Sequence, residues 1–426
     1  MHDPIATTTK DRIRNFLYEN SIFLVAGSVV ALLWANLDAA WGHDTYNHFM
    51  HFDLRALFGA VHADGHGSHG PTFHFLVNDI LMALFFAIAA KEVWEAVLPG
   101  GALSDIRKAA TPLIGTAGGV IGPAVVYLGG ALLLGRFDDL GNGWAVPCAT
   151  DIAFSYLIAK LIFGPGHPAI SFLLLLAIAD DAIGLAILAV FYPTAATSFS
   201  WLLLTVAAIG IGLTMRRFKV RSFWWYLIIP GVLSWISFYM SGIHAALGLV
   251  PIIPTLPHAA TDKGLFADDS KQTDTLNQFE HWWKNPVELI LGLFALANAG
   301  VVFSSFAAGT WLVTAGLFLG KPLGIGLFTY AAVRFLKLEL PSGMTMKHVI
   351  VLGCIASFGF TVALFVSTAA FPVPGGIQDS IKMGALLSFL APIAAFGSAM
   401  LLGIRPVVFG EKRLAAPRPS KSQAAV

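Results

Sequence analysis

Charge is what this sequence has least of. Only 12% of its 426 residues are Asp, Glu, Lys or Arg, against about 25% in an ordinary soluble domain. Net charge is nearly absent as well, at +1. That leaves no electrostatic footprint for nucleic acid or an acidic partner. Cysteine is scarce: Cys148 and Cys354 are the only two, both in apolar runs. A disulfide framework is therefore not expected, and both read as small packing residues. No nucleotide-binding or other cofactor motif is present, so neither a resident cofactor nor an enzyme activity is expected. The N-terminal "MHDPIATTTKDRIRNF" mixes both signs of charge, and no small-residue cleavage site follows the first apolar run. No signal peptide is expected there.

What is abundant is apolar, at 56% of residues. A membrane helix needs about 20 mostly apolar residues. Twelve spans are expected by that measure, near 21–37, 75–98, 112–135, 145–163, 168–193, 198–215, 222–239, 241–255, 286–305, 310–333, 347–370 and 380–403. The fold class is all-α and integral to the membrane. The expected organisation is a cytoplasmic segment at 1–20, a transporter domain at 21–404 and a cytoplasmic tail at 405–426.

Basic residues test the count. With the N-terminus inside, only Arg55, Arg136 and Lys382 of the 26 Lys and Arg fall outside, and only Lys91 and Lys321 fall within the membrane. That bias fits the positive-inside rule and places both termini in the cytoplasm. The outer segment after the first span carries His43, His48, His51, His62, His66, His69 and His74. His-rich tracts can bind metal. The spacing is irregular and no Cys or Glu completes a set, which favours a solvated loop. The 256–284 loop reads as a polar connector with no motif.

Two spans are interrupted. The fourth contains "AVPCATDIAFS", where Pro147 lacks an amide donor. The eleventh contains "GCIASFGFTVA", with Gly353, Ser357 and Gly359 close together. Interrupted segments in corresponding places point to a midplane site in a transporter. With twelve spans, the regions near 112–193 and 310–403 have opposite orientations, as an inverted repeat requires. A broken helix exposes partly positive amide ends and partly negative carbonyl ends. Asp151 could offset the first and Lys321 the second.

The stretch "LLLLAIADDAIGLAILAV" puts Asp180 and Asp181 in the middle of an apolar run. Lenient insertion scales charge about 3 kcal/mol for one such Asp. Neighbours on a helix point about 100° apart, so the two cannot chelate one ion as a symmetric pair. One facing an aqueous funnel and the other a protein partner is the expected arrangement. Paired carboxylates in a desolvated site exchange protons near physiological pH and offer oxygens to a small hard cation. Thr150 adds a hydroxyl beside Asp151. A single intramembrane Asp can be a structural ion pair, but three Asp and one Lys, two beside breaks, argue for function. His244 in "SGIHAALG" reads more readily as a packed or hydrogen-bonded histidine than as a ligand. Lys91 and Glu95, at i,i+4, read as a helix-surface ion pair.

The segments "GWAVPCATDIAFS", "LAIADDAIGLAILAVFY", "SGIHAALGLV", "FALANAG", "GKPLGIGLF" and "SFGFTVALFV" together resemble bacterial NhaA-type sodium/proton antiporters, over most of the chain. The resemblance implies twelve helices with two crossed, interrupted ones. It implies that Asp181 is the main cation- and proton-binding carboxylate and that Asp180 pairs with Lys321. It places Thr150 and Asp151 at the crossing, and offers Glu92, His244 and Glu280 as groups of the pH response. It also implies electrogenic exchange of cytoplasmic Na+ (or Li+) for external protons, two per cation, in the inner membrane. The implied partners are the substrates, the lipid bilayer and, in a homodimer, a second copy. One departure stands out. The family's Glu-x-Lys-Arg-Glu run is here Glu92, Val93, Trp94, Glu95 and Ala96, preceded by Lys91.

Two other classes fit less well. An intramembrane aspartyl protease takes its carboxylates from two helices, one in a Gly-x-Gly-Asp motif, whereas "AIA" precedes this pair. A passive cation channel needs a continuous polar path, which these spans lack.

Overall fold

A chain in hydrocarbon must satisfy each backbone amide internally, so apolar runs of this length become helices. The computed structural model describes residues 21–55, 71–258 and 274–409, apart from the side chains of 106–108. The N-terminal segment 1–20, most of the tail and His62, His66 and His69 lie outside the described residues. Among those described there is no β-strand, only an isolated bridge between Asp53 and Thr72.

The helices in order are α1 (Ile22–Trp41), α2 (Phe73–Val97), α3 (Ile106–Leu133), α4 (Phe137–Cys148), α5 (Ile152–Phe163), α6 (Pro168–Phe191) and α7 (Phe199–Arg217). They continue as α8 (Phe223–Ser241), α9 (Ala245–Thr255), α10 (Thr275–Asn298), α11 (Ala308–Phe335), α12 (Met346–Ala356), α13 (Phe360–Ala370) and α14 (Gly376–Leu401). Among the described residues eight are long and apolar enough to cross a membrane, and the bent pairs α4–α5 and α12–α13 raise this to ten. Large apolar side chains such as Leu203 and Val206 on α7 stand exposed. On a soluble protein such faces would be sticky patches; here they face lipid.

Two expected boundaries move. The span expected at 286–305 is α10, which starts at Thr275 because Asp274 caps it, accepting from the Asn277 amide at 2.9 Å. The 256–284 stretch is thus part helix, not merely a connector. The span expected at 145–163 begins at Phe137, and Gly141–Cys148 winds as a tight 3₁₀ turn containing Pro147. Its bend to α5 is 54°, and that between α12 and α13 is 53°.

Glycines decide which helices touch. A side chain on Gly118 would meet the Gly324 carbonyl, one on Gly122 the Gly320 carbonyl, and one on Gly324 the Gly118 carbonyl. Gly118 and Gly122, like Gly320 and Gly324, are four apart, the small-xxx-small spacing that lets membrane helices approach backbone to backbone. α3 and α11 are held together this way, which fixes Lys321 on α11. Immediately before Lys321 the helix widens into a π turn at Gly316–Gly320, where Pro322 withholds an amide from the ladder. α2 has a similar turn at Leu76–Leu81, containing Asn78 and Asp79. Such turns mark functional positions in helices.

Candidate functional site

The two breaks meet. Ala149 and Asp151 have extended backbone, and the Asp151 amide donates to the Phe358 carbonyl at 2.8 Å. The Thr150 hydroxyl donates to the Ala356 carbonyl at 3.2 Å, and the Ser155 hydroxyl to that of Ile355 at 3.4 Å. Gly359 is required opposite them, since the Ala149 carbonyl occupies the place of a Cβ. Each break therefore supplies the partners that the other's open ladder lacks. Asp151 sits at the amide end of α5. One oxygen accepts from the Phe154 amide at 3.3 Å, and the other from the Thr361 hydroxyl at 2.9 Å.

Lys321 does not reach the carbonyl ends of the breaks in the hydrogen bonds it makes. Its ammonium donates to the Thr150 hydroxyl and, at 3.2 Å, to an oxygen of Asp180. All three are buried. The carbonyl end of α12 is met by Thr150, Ser155 and the Asp151 amide instead. This frees Lys321 to neutralise Asp180, whose isolated charge would be untenable there. Asp181, one residue on, points elsewhere, as the helical angle demands. Among the described residues it has no hydrogen bond or ion pair, yet Asp180, Glu92, Asp151 and Lys321 all act on it electrostatically. It is the acceptor left open in the cluster.

A second group of charges lies at the far end of α2. Lys91 pairs with Glu95 at 2.6 Å and also with Glu280 of α10. The pair expected on the helix surface forms, but its Lys91 is buried and, through Glu280, also ties α2 to α10. Glu92 lies within electrostatic reach of Lys91, Glu280, Glu95 and Lys284, and of Asp181 as well. His244 is elsewhere. Its Nδ1 is 3.6 Å from Asp79 and its ring lies against Phe365. Both line a cavity of about 850 Å³ that also takes in His43, His51 and His74. His74 belongs to the first turn of α2 and stacks on His51, so part of the outer histidine tract is folded onto the protein. Among the described residues no three His, Cys, Asp or Glu converge as a metal site. Both cysteines are free.

Four further side chains gain a place at these sites only in the structure. Asp79 and Glu288 lie in apolar surroundings and were findable by the criterion that exposed Asp180. Thr361 was not, since only the fold brings it to Asp151. Lys382, which charge bias assigned to an outer segment, is buried within α14 and lines the cavity.

Comparison with known sequences identifies the family. The family model described as Na+/H+ antiporter 1 matches residues 15–402. The Na(+)/H(+) antiporter NhaA of Jannaschia sp. (strain CCS1) is 51% identical over 407 residues, covering 89% of this chain and 95% of that one. The NhaA of Geobacter sulfurreducens is 48% identical, covering 92% and 98%. The solved structure of the sodium proton antiporter MjNhaP1 from Methanocaldococcus jannaschii at pH 8 is a distant likeness. It shows a TM-score of 0.47 at 12% identity, over 90% of this chain and 98% of that one. With its breaks, its buried carboxylates and a match that runs nearly end to end, this chain belongs to the NhaA-type Na+/H+ antiporter family.

Proposed function

We propose that the protein exchanges cytoplasmic sodium (or lithium) for external protons in the bacterial inner membrane, electrogenically, with two protons per cation and under pH control. The observation that carries this is Asp181: an open carboxylate beside the closed Lys321–Asp180–Thr150 cluster, where two broken helices meet. Proton and cation compete for the same oxygens, and that competition is the coupling. In the inward state Asp181 releases its proton and takes the ion, with Asp180 and Thr150 supplying further oxygens. Rocking of the bundle then presents the site outside, where the ion leaves and protons return. Asp151 and Lys321 set the field and are the groups available for the second proton. Glu92, Glu280 and His244 are proposed for the pH response, and a homodimer for the assembly.

The proposed topology is twelve spans over 21–404, counting α9 and α10, with 1–20 and 405–426 in the cytoplasm. The wide cavity then faces outward. Two features support an inverted repeat over about 112–193 and 310–403. The first helices of the two triplets, α3 and α11, meet through matching glycine pairs, and the middle member of each is bent by nearly the same angle.

Dequenching of a pH dye in everted vesicles on adding sodium, lithium or potassium tests the reading. Sodium and lithium should dequench, and Asp181→Asn should abolish the signal while the protein still reaches the membrane. Substantial sodium-driven proton flux in that variant would overturn the mechanism. A reversal potential set by both gradients separates this carrier from a passive channel.

A further inference from the structure

The cavity of about 850 Å³ contains a charge that the exchange cycle does not use. Four carboxylates line it, those of Asp38, Asp44, Asp79 and Asp379, against one ammonium, that of Lys382. Lys382 is nine-tenths buried. Among the described residues its ammonium makes no hydrogen bond, and no carboxylate comes within ion-pair distance. Asp379 lies three positions earlier on the same helix without closing a pair. Asp38 is already engaged, by the Thr45 hydroxyl at 2.8 Å and the Tyr46 amide at 2.7 Å. Asp79 faces His244. Lys321 makes the contrast plain: more deeply buried, it donates to both Thr150 and Asp180.

The Lys382 stem is packed into the protein while its ammonium tip opens on the cavity that it lines. A simple membrane anchor would carry its charge out to the interface, whereas this one stays within α14 and borders the cavity. Its field is exerted where water is confined and low-dielectric walls weaken screening. The excess of carboxylates makes the space a passage for cations, not a store for anions. A positive charge inside such a passage acts as a brake on occupancy.

We propose that Lys382 is a specificity-determining residue of the vestibule: when protonated, its positive charge lowers the vestibule's affinity for sodium and so favours release over rebinding on that side. This rests on the exchange reading above. It makes the transporter asymmetric, with weaker cation capture from the cavity face than from the opposite one.

Two measurements test it. In proteoliposomes, Lys382→Gln should lower the sodium KM from the cavity side on the order of tenfold, leave the opposite-side KM unchanged, and be rescued by Lys382→Arg. Equal KM changes on both sides, or none, would overturn the proposal. The second measurement does not depend on transport. In a Cys148→Ala/Cys354→Ala background, a cysteine at Thr194, which also lines the cavity, is reacted with cationic and anionic methanethiosulfonates. Lys382→Gln should raise the cationic-to-anionic rate ratio on the order of tenfold. An unchanged ratio would overturn the proposed field even where exchange is normal. A shifted ratio in a protein that exchanges no sodium would instead support the field and overturn the exchange reading.

Discussion

At the scale of single residues, the site contrasts a carboxylate that is closed with one that is open. Asp180 is held by Lys321 at 3.2 Å, while Asp181 has no such partner. Removing Asp180 alone, as Asp180→Asn, strands a buried ammonium, and such losses run to about 3–5 kcal/mol. Asp180→Asn combined with Lys321→Met removes both charges. Thermal unfolding in detergent should show the double variant recovering stability relative to Asp180→Asn. Strictly additive losses would show that the two do not act as a pair.

At the scale of elements, two contacts make separate predictions. Where α3 and α11 meet, Gly324 has the Gly118 carbonyl in the place of a side chain. Gly324→Val must force the helices apart, at about 1–3 kcal/mol for overpacking, and shift Lys321 with them. A lower melting temperature together with reduced exchange is expected; a variant with wild-type melting and rate would show the contact to be slack. The α2–α10 contact concerns regulation. Lys91 is shared between Glu95 and Glu280, which leaves Glu92 nearby without a bonded partner among the described residues. Glu92→Gln should shift the activity–pH curve, read at saturating sodium, while leaving the maximal rate nearly intact. A curve that does not move would place the pH response in the Asp180–Asp181 site alone.

At the scale of the whole molecule, shared oxygens make the apparent affinity depend on pH. With each proton that competes, the sodium KM should rise by up to about tenfold per pH unit below the site's titration range. Vesicle assays at several pH values check this, and a KM flat between about pH 6.5 and 8.5 would argue against competition as the coupling device. The parts of this arrangement differ in how plainly the sequence displays them. Asp180, Asp181 and Lys321 stand out because hydrocarbon makes any charge conspicuous. The breaks stand out through Pro147 and the Gly353–Gly359 cluster. The start of α10 does not, since a capped polar turn looks like a loop to any test of hydropathy. Nor does the bond from Thr361 to Asp151, because nothing local foretells which helix arrives opposite a break. The burial of Lys382 against the cavity is hidden for a related reason: it depends on how α14 packs.

The meeting of the two breaks also bears on how the protein is made. Thr361 and Asp151, which share a hydrogen bond, are 210 residues apart in the chain. Synthesis proceeds at about 5–20 residues per second, so the first broken helix waits roughly 10–40 s before its counterpart is translated. Through that interval its unpaired amides and carbonyls must be sheltered by the insertion machinery or by nascent neighbours. A ribosome-arrested chain that stops short of Met346 should therefore remain crosslinkable to the translocon at Thr150, whereas one extended past Ala370 should let go. The crossing, seen this way, is a checkpoint in biogenesis as well as a place for ions.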